Sequence, residues 1–112
     1  MKYLIAIVKP NRAQEVRQAL SEVGVKGMTL TEVSGHGRQR GHAEIYRGTE
    51  YRVDFLPKVK FEVAISDAEL PAVVDAITRA SRSGKIGDGK IFVLDLLDTT
   101  RIRTGEGGTA AL

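Results

Sequence analysis

A chain of 112 residues is long enough for one domain with a single modest core. The absence of cysteine excludes disulfides and thiolate chemistry and leads us to expect a cytoplasmic protein. A formal charge of +3 is mildly basic, which suits anionic small molecules as well as nucleic acid. The first pattern is a strand over residues 3 to 8. Its apolar run, Leu4-Ile5-Ala6-Ile7-Val8, is far too short to cross a bilayer, and a strand this close to residue 1 leads us to expect no leader peptide.

A helix pattern follows. Asn11 is placed to cap it, with Gln14 three residues on as a capping-box partner. Ala13, Val16, Leu20 and Val23 line one face, and Gly24 ends it. Met28 to Val33 reads as a second strand. In the third strand, Lys58, Lys60 and Glu62 alternate with Val59, Phe61 and Val63, which gives one polar face. Ser66 or Asp67 caps a second helix. Pro71 favours the later start, because a missing N–H is tolerated best in the first turn. Leu70, Val73, Ile77 and Ala80 then repeat the first helix's stripe with a shift of 57 residues, as Ala13 to Leu70 shows. Phe61, Val63 and Ile65 repeat Leu4, Ala6 and Val8 by the same shift. Ile91 to Leu97 is the fourth strand. Two strand-helix-strand units of this length predict an α+β, ferredoxin-like βαββαβ fold over residues 1–112, with both helices on one sheet face. The first and fourth strands are apolar at consecutive positions, so both of their faces should be buried. One chain has nothing left to cover the second face, which implies a homo-oligomer closed by symmetry.

Residues 82–90, Arg-Ser-Gly-Lys-Ile-Gly-Asp-Gly-Lys, join the second helix to the fourth strand. Glycines 84, 87 and 89 allow positive φ and close approach of main-chain N–H groups to an anion, and Lys85 and Lys90 flank them. A strand follows where a P-loop requires a helix. An Asp-Gly turn with solvated lysines accounts for the same stretch equally well. Arg101 and Arg103 add two guanidiniums that an extended segment would project from one face. His36 and His42 read better as solvated loop histidines than as a zinc pair. The segment from 35 to 56 is far longer than a hairpin connection needs, and such insertions tend to be functional. It carries Tyr46 and Tyr51 with Thr49 between them, which suits partner binding or covalent modification. A β-ribbon with locally packed tyrosines is the plainer alternative.

Five stretches in order then carry a resemblance: Gly37-Arg38-Gln39, Tyr46-Arg47-Gly48-Thr49-Glu50-Tyr51, Asp54 to Val59, Ser83 to Lys90, and Arg101 to Glu106. Together they resemble the PII nitrogen-regulatory signal-transduction proteins over the whole chain. The resemblance implies a non-enzymatic regulator of nitrogen metabolism: a homotrimer that binds ATP or ADP, Mg²⁺ and 2-oxoglutarate in clefts between subunits. It implies a flexible loop at 37–55, a phosphate-binding loop at 82–90 and a C-terminal loop at 101–112. Lys90, Arg101, Arg103 and Arg38 resemble the family's phosphate clamps, and Gly87, Asp88 and Gly89 its backbone cradle. Gly35, Gly37 and Gln39 belong to the same nucleotide site. Thr29, Glu62 and Ala64 fall where the family holds adenine. Gln39 resembles the residue that ligates Mg²⁺, an oxygen-seeking ion. Lys58 resembles the lysine that pairs with a 2-oxoglutarate carboxylate, with Gln39, Gly41 and Gly87 around the same ligand. Tyr51 matches the nucleotidylated tyrosine, and Tyr46, Arg47 and Tyr51 the partner-binding tip. The partners implied are an ammonium transporter, a nucleotidyltransferase and enzymes or kinases of nitrogen metabolism. Membrane contact comes only through the transporter.

The chain departs from the pattern at Ser34, His36, Thr49, Ser83 and the polar run Asp98-Thr99-Thr100, none of which removes a ligand group. Two other classes compete with a ligand-gated regulator. An enzyme would need a carboxylate pair or an activated nucleophile at catalytic spacing, and the sequence offers neither. A nucleic-acid binder on this fold would need an aromatic strand motif, which three Tyr and three Phe do not form here.

Overall fold

The computed structural model describes residues 1–37 and 55–112, together with the main chain of 42–46 and 49–53. In chain order the elements are β1 (Lys2–Val8), α1 (Ala13–Glu22), β2 (Thr29–Gly35), β3 (His42–Tyr46), β4 (Thr49–Val53), β5 (Leu56–Ile65), α2 (Leu70–Ser81) and β6 (Gly89–Asp95). β2, β5, β1 and β6 form one sheet in that order, with every neighbouring pair antiparallel. β1 and β2 therefore run parallel with β5 between them, the split strand-helix-strand arrangement that the repeat predicted. The insertion contributes a separate two-stranded ribbon in which Tyr46 stands opposite Thr49.

The alternation in β1 and β5 decides where the core lies. Leu4, Ala6 and Val8 face Val63, Phe61 and Val59 in register, and all six are buried beneath the helices. α1 adds Val16 and Leu20, and α2 adds Val73 and Ile77. Each such side chain contributes roughly 1.5–3 kcal/mol through burial.

The helix termini differ from the sequence reading in three places. Pro10 starts a 3₁₀ turn over Pro10–Arg12, so Asn11 lies inside the turn and caps nothing. α1 begins at Ala13, and the Gln14 side chain accepts a bond from Arg17 Nε at 3.0 Å instead. Proline's fixed φ sets that earlier start. Gly24 does end α1, at φ +91°. Its N–H donates to Ser21 O, and that of Val25 to Leu20 O, the paired bonds of a Schellman stop. Val23 lies beyond the last helical residue, so it leaves the stripe and is exposed. At α2 the cap is Ser66, the earlier of the two candidates. Its main-chain N–H and its hydroxyl both donate to Glu69 Oε1, at 3.1 and 2.7 Å. A 3₁₀ turn over Asp67–Glu69 then leads into α2, which keeps Pro71 in the first helical turn.

β6 runs from Gly89 to Asp95 rather than from Ile91 to Leu97, because its ladder follows the length of β1, from Val8↔Gly89 to Lys2↔Asp95. The sheet's other face carries Tyr3, Ile5 and Ile7, with Phe92 and Leu94 opposite Ile5 and Tyr3. Expected burial on both faces is not met within one chain. Phe92, Val93 and Leu94 on the edge strand are each nearly half exposed. Among the described residues, no helix is long and apolar enough to cross a membrane.

Candidate functional site

The turn after α2 is held by a single carboxylate. Asp88 accepts bonds from the Ser83 N–H at 2.8 Å, the Ser83 hydroxyl at 2.5 Å and the Gly84 N–H at 2.9 Å. Lys9 Nζ lies 3.4 Å from Oδ1, the oxygen that also takes the Ser83 hydroxyl. These donors hold the Asp88 carboxyl well below the usual carboxylate range, the Ser83 hydroxyl contributing most. The turn passes through positive φ at Gly84, Gly87 and Gly89. At Gly89 the requirement is absolute: a Cβ there would lie 1.7 Å from the Ile7 carbonyl oxygen. The turn thus lands directly on the central strand's main chain.

Lys58 enters from β5. Its Nζ donates to the Gly87 carbonyl at 2.9 Å, and its stem passes where a side chain at Gly35 would crowd it, 3.1 Å from Cγ. Burial is the main influence that lowers the Lys58 amine from its ordinary value. The positive charge of Lys9 acts the same way, and Asp88 opposes both. Between these parts lies a cavity of about 760 Å³. Ile7 and Phe92 line it from the sheet, and Val33 to Gly37 and Lys58 from the ends of β2 and β5. Leu56 and Gly84 to Lys90 complete the lining. Three ammonium groups and a glycine turn around one open cavity can receive an anion of several charges.

The structure brings Gly35, Gly37, Lys58, Gly87, Asp88, Gly89 and Lys90 to this cavity. It does not bring Thr29, Glu62, Ala64, Arg101 or Arg103 to its lining. Thr29 and Glu62 are register partners on β2 and β5, and Ala64 pairs with Tyr3. Glu62 accepts the Tyr3 hydroxyl at 2.5 Å and lies 3.0 Å from Lys60 Nζ. The Tyr3 bond first, then Lys60, holds the Glu62 carboxyl below its usual value. Arg101 and Arg103 do not stand on an extended segment. The chain turns there, with the Gly105 N–H donating to Arg101 O at 2.7 Å. The Arg101 guanidinium donates to Leu112 O at 3.1 Å and faces Glu106 Oε1 at 3.4 Å. Arg38, Gln39, Gly41 and Arg47 lie outside the described residues, as do the side chains of Tyr46 and Tyr51.

Sequence reasoning missed Lys9 and the side-chain role of Asp88. It also missed the contact between His36 and Phe55, whose rings sit 5.8 Å apart across the ends of the insertion. The Ser83-to-Asp88 spacing was the available signal for the brace, and nothing in the sequence marked Lys9.

The chain matches the family described as Nitrogen regulatory protein P-II over residues 1–106. It is 57% identical over 112 residues to Nitrogen regulatory protein GlnK of Escherichia coli (strain K12), with all of both chains covered. Nitrogen regulatory protein P-II of Klebsiella oxytoca and Nitrogen regulatory protein P-II 1 of Escherichia coli (strain K12) are each 57% identical, again over both full lengths. With most of its length matched by one family model and full-length relatives at this identity, the chain belongs to the nitrogen regulatory protein P-II family.

Proposed function

We propose that this chain is a non-enzymatic sensor in nitrogen regulation that binds ATP or ADP and, with Mg²⁺, 2-oxoglutarate. The observation that carries this reading is the lysine-rimmed glycine turn around one cavity, with Lys58 aimed across it at Gly87. Lys85, Lys90 and the turn's main chain suit a polyphosphate, and the Lys58 ammonium suits a carboxylate beside it. Gln39 is the proposed Mg²⁺ ligand. Thr29, Glu62 and Ala64 are proposed to hold adenine, and Arg38, Arg101 and Arg103 to join the phosphate site. Residues on the open sheet face and in the C-terminal turn fall outside the cavity of one chain. We therefore place the complete site between subunits of a homotrimer, where a neighbouring copy supplies the missing groups.

In this reading the ligands act on the insertion, whose base borders the cavity at Gly35 to Gly37. Ligand at that base biases the direction in which the insertion leaves the sheet, and so what Tyr46, Arg47 and Tyr51 present to an ammonium transporter, a nucleotidyltransferase or a metabolic enzyme. The bias equals the ligand's differential affinity for the two arrangements. Titration calorimetry tests the reading. ATP should bind, and 2-oxoglutarate should bind only when Mg-ATP is present. Lys58→Ala should abolish 2-oxoglutarate binding while leaving ADP affinity nearly intact. Undiminished 2-oxoglutarate binding in that variant rejects the assignment of Lys58.

A further inference from the structure

We propose that Lys9 is a positioning residue of the ligand site: acting through Asp88, it fixes the turn of residues 83–88 in the shape that presents Gly87 to Lys58. The inference rests on the proposed nucleotide reading for its ligand, and on the geometry alone for the turn. Register places the two residues together. β1 and β6 pair Val8 with Gly89, so Lys9 and Asp88 each stand one step beyond the last rung of the same ladder. Lys9 precedes Pro10, and its backbone is extended at φ −66°, ψ 142° as a following proline requires. Its stem therefore leaves the sheet in a set direction, and its amine reaches Asp88 Oδ1 at 3.4 Å.

Asp88 already collects three donors from Ser83 and Gly84. Those bonds close the turn on itself. They leave the seat of the closed turn against the sheet to side chains from outside it: Lys58 of β5 at Gly87 and Lys9, one residue past β1, at Asp88. The long ion pair, with both side chains about a fifth exposed, is a weak source of stability. Its leverage is geometric: a small rotation of Asp88 moves Ser83, Gly84 and, through the turn, the Gly87 carbonyl that Lys58 holds. The positive charge of Lys9 also bears on Lys58 directly.

A double-variant cycle tests this in the full chain, with ATP as the probe. Lys9→Met should weaken ATP binding on the order of tenfold, the size of a coupled contact, while the melting temperature stays close to wild type. Lys9→Arg should restore most of the loss. Lys9→Met combined with Asp88→Asn should bind no more weakly than Asp88→Asn alone, because both act through one carboxylate. Additive losses, or wild-type affinity in Lys9→Met, overturn the proposal. Amide hydrogen exchange on the ligand-free protein tests the turn independently of any nucleotide. Ser83 and Gly84 should exchange faster in Lys9→Met, and unchanged exchange overturns the proposal even if ATP does not bind. Failure of wild-type protein to bind ATP, with faster exchange in the variant, would count against the nucleotide reading and leave the brace supported.

Discussion

Gly89 and Gly84 look alike in the sequence and have different physical duties. Both hold positive φ, but a side chain at Gly84 would meet nothing within 4 Å, whereas one at Gly89 would run into the main chain of Ile7. Gly84→Ala should therefore cost only the backbone strain, about 1 kcal/mol. Gly89→Ala should cost more than about 3 kcal/mol, because β6 must move off β1 to make room. Urea unfolding of the two variants reads the difference directly. Asp88 gives a second expectation. Its folded carboxyl is held below its ordinary 3.8, so the stability it adds is present above that pH. That stability is lost as pH falls through the lower folded value. Asp88→Asn should destabilise at neutral pH, and the gap to wild type should narrow steadily below pH 3.8. Acid titrations followed by circular dichroism check this, and a gap that widens in acid contradicts it. The glycines of this turn were legible in the sequence because only a special backbone needs three in so short a span. Lys9 was not, because its importance comes from a ladder register that places it beside Asp88 across nearly eighty residues of chain.

At the scale of elements, periodicity was a better guide than capping. The stripes through Val16 and Leu20, and through Val73 and Ile77, were readable because a buried face leaves a 3.6-residue signature. The first helix start was misread, and at the second the later of two candidate caps was favoured over the one found, because each helix opens with a 3₁₀ turn that moves the cap upstream of the helix proper. At α2 that turn is fastened by Ser66 and Glu69. Glu69 is held below its ordinary carboxylate value by the same two donors, the Ser66 hydroxyl first. Ser66→Ala should lower stability by about 1 kcal/mol, within the usual range for a lost cap. Asn11→Ala, which removes no cap, should be close to neutral. Equal losses in the two variants, measured by chemical denaturation, would contradict this assignment. β6 was misplaced by two residues because its apolar run continues past the end of its partner. Leu97 follows the ladder and is almost fully exposed.

At the scale of the whole molecule, the sheet's second face is the open question that the alternation of β1 poses. Tyr3, Ile5 and Ile7 lie beside Phe92 and Leu94 on a surface that the helices do not reach. An apolar sheet face of this kind is characteristic of an interface between copies. We expect three copies in solution at micromolar concentration, measured by light scattering. Ile5→Glu should disperse them, since it places a charge beside Glu62 and opposite Phe92. A wild-type monomer, or an unaltered trimer in the variant, would sink this assembly.

On the proposed function, ligand capture at the C-terminal turn would be an exchange. Arg101 already faces the Glu106 carboxylate and the Leu112 oxygen, and the Thr104 hydroxyl also donates to Glu106 at 2.8 Å. A phosphate that took this guanidinium would have to displace the Glu106 carboxylate and the Leu112 oxygen. The arginine would then be paired in either state, and would favour one anion over another more than it would add grip. Glu106 would keep the Thr104 hydroxyl while the Leu112 oxygen lost its guanidinium, so occupancy would be written into the last residues of the chain.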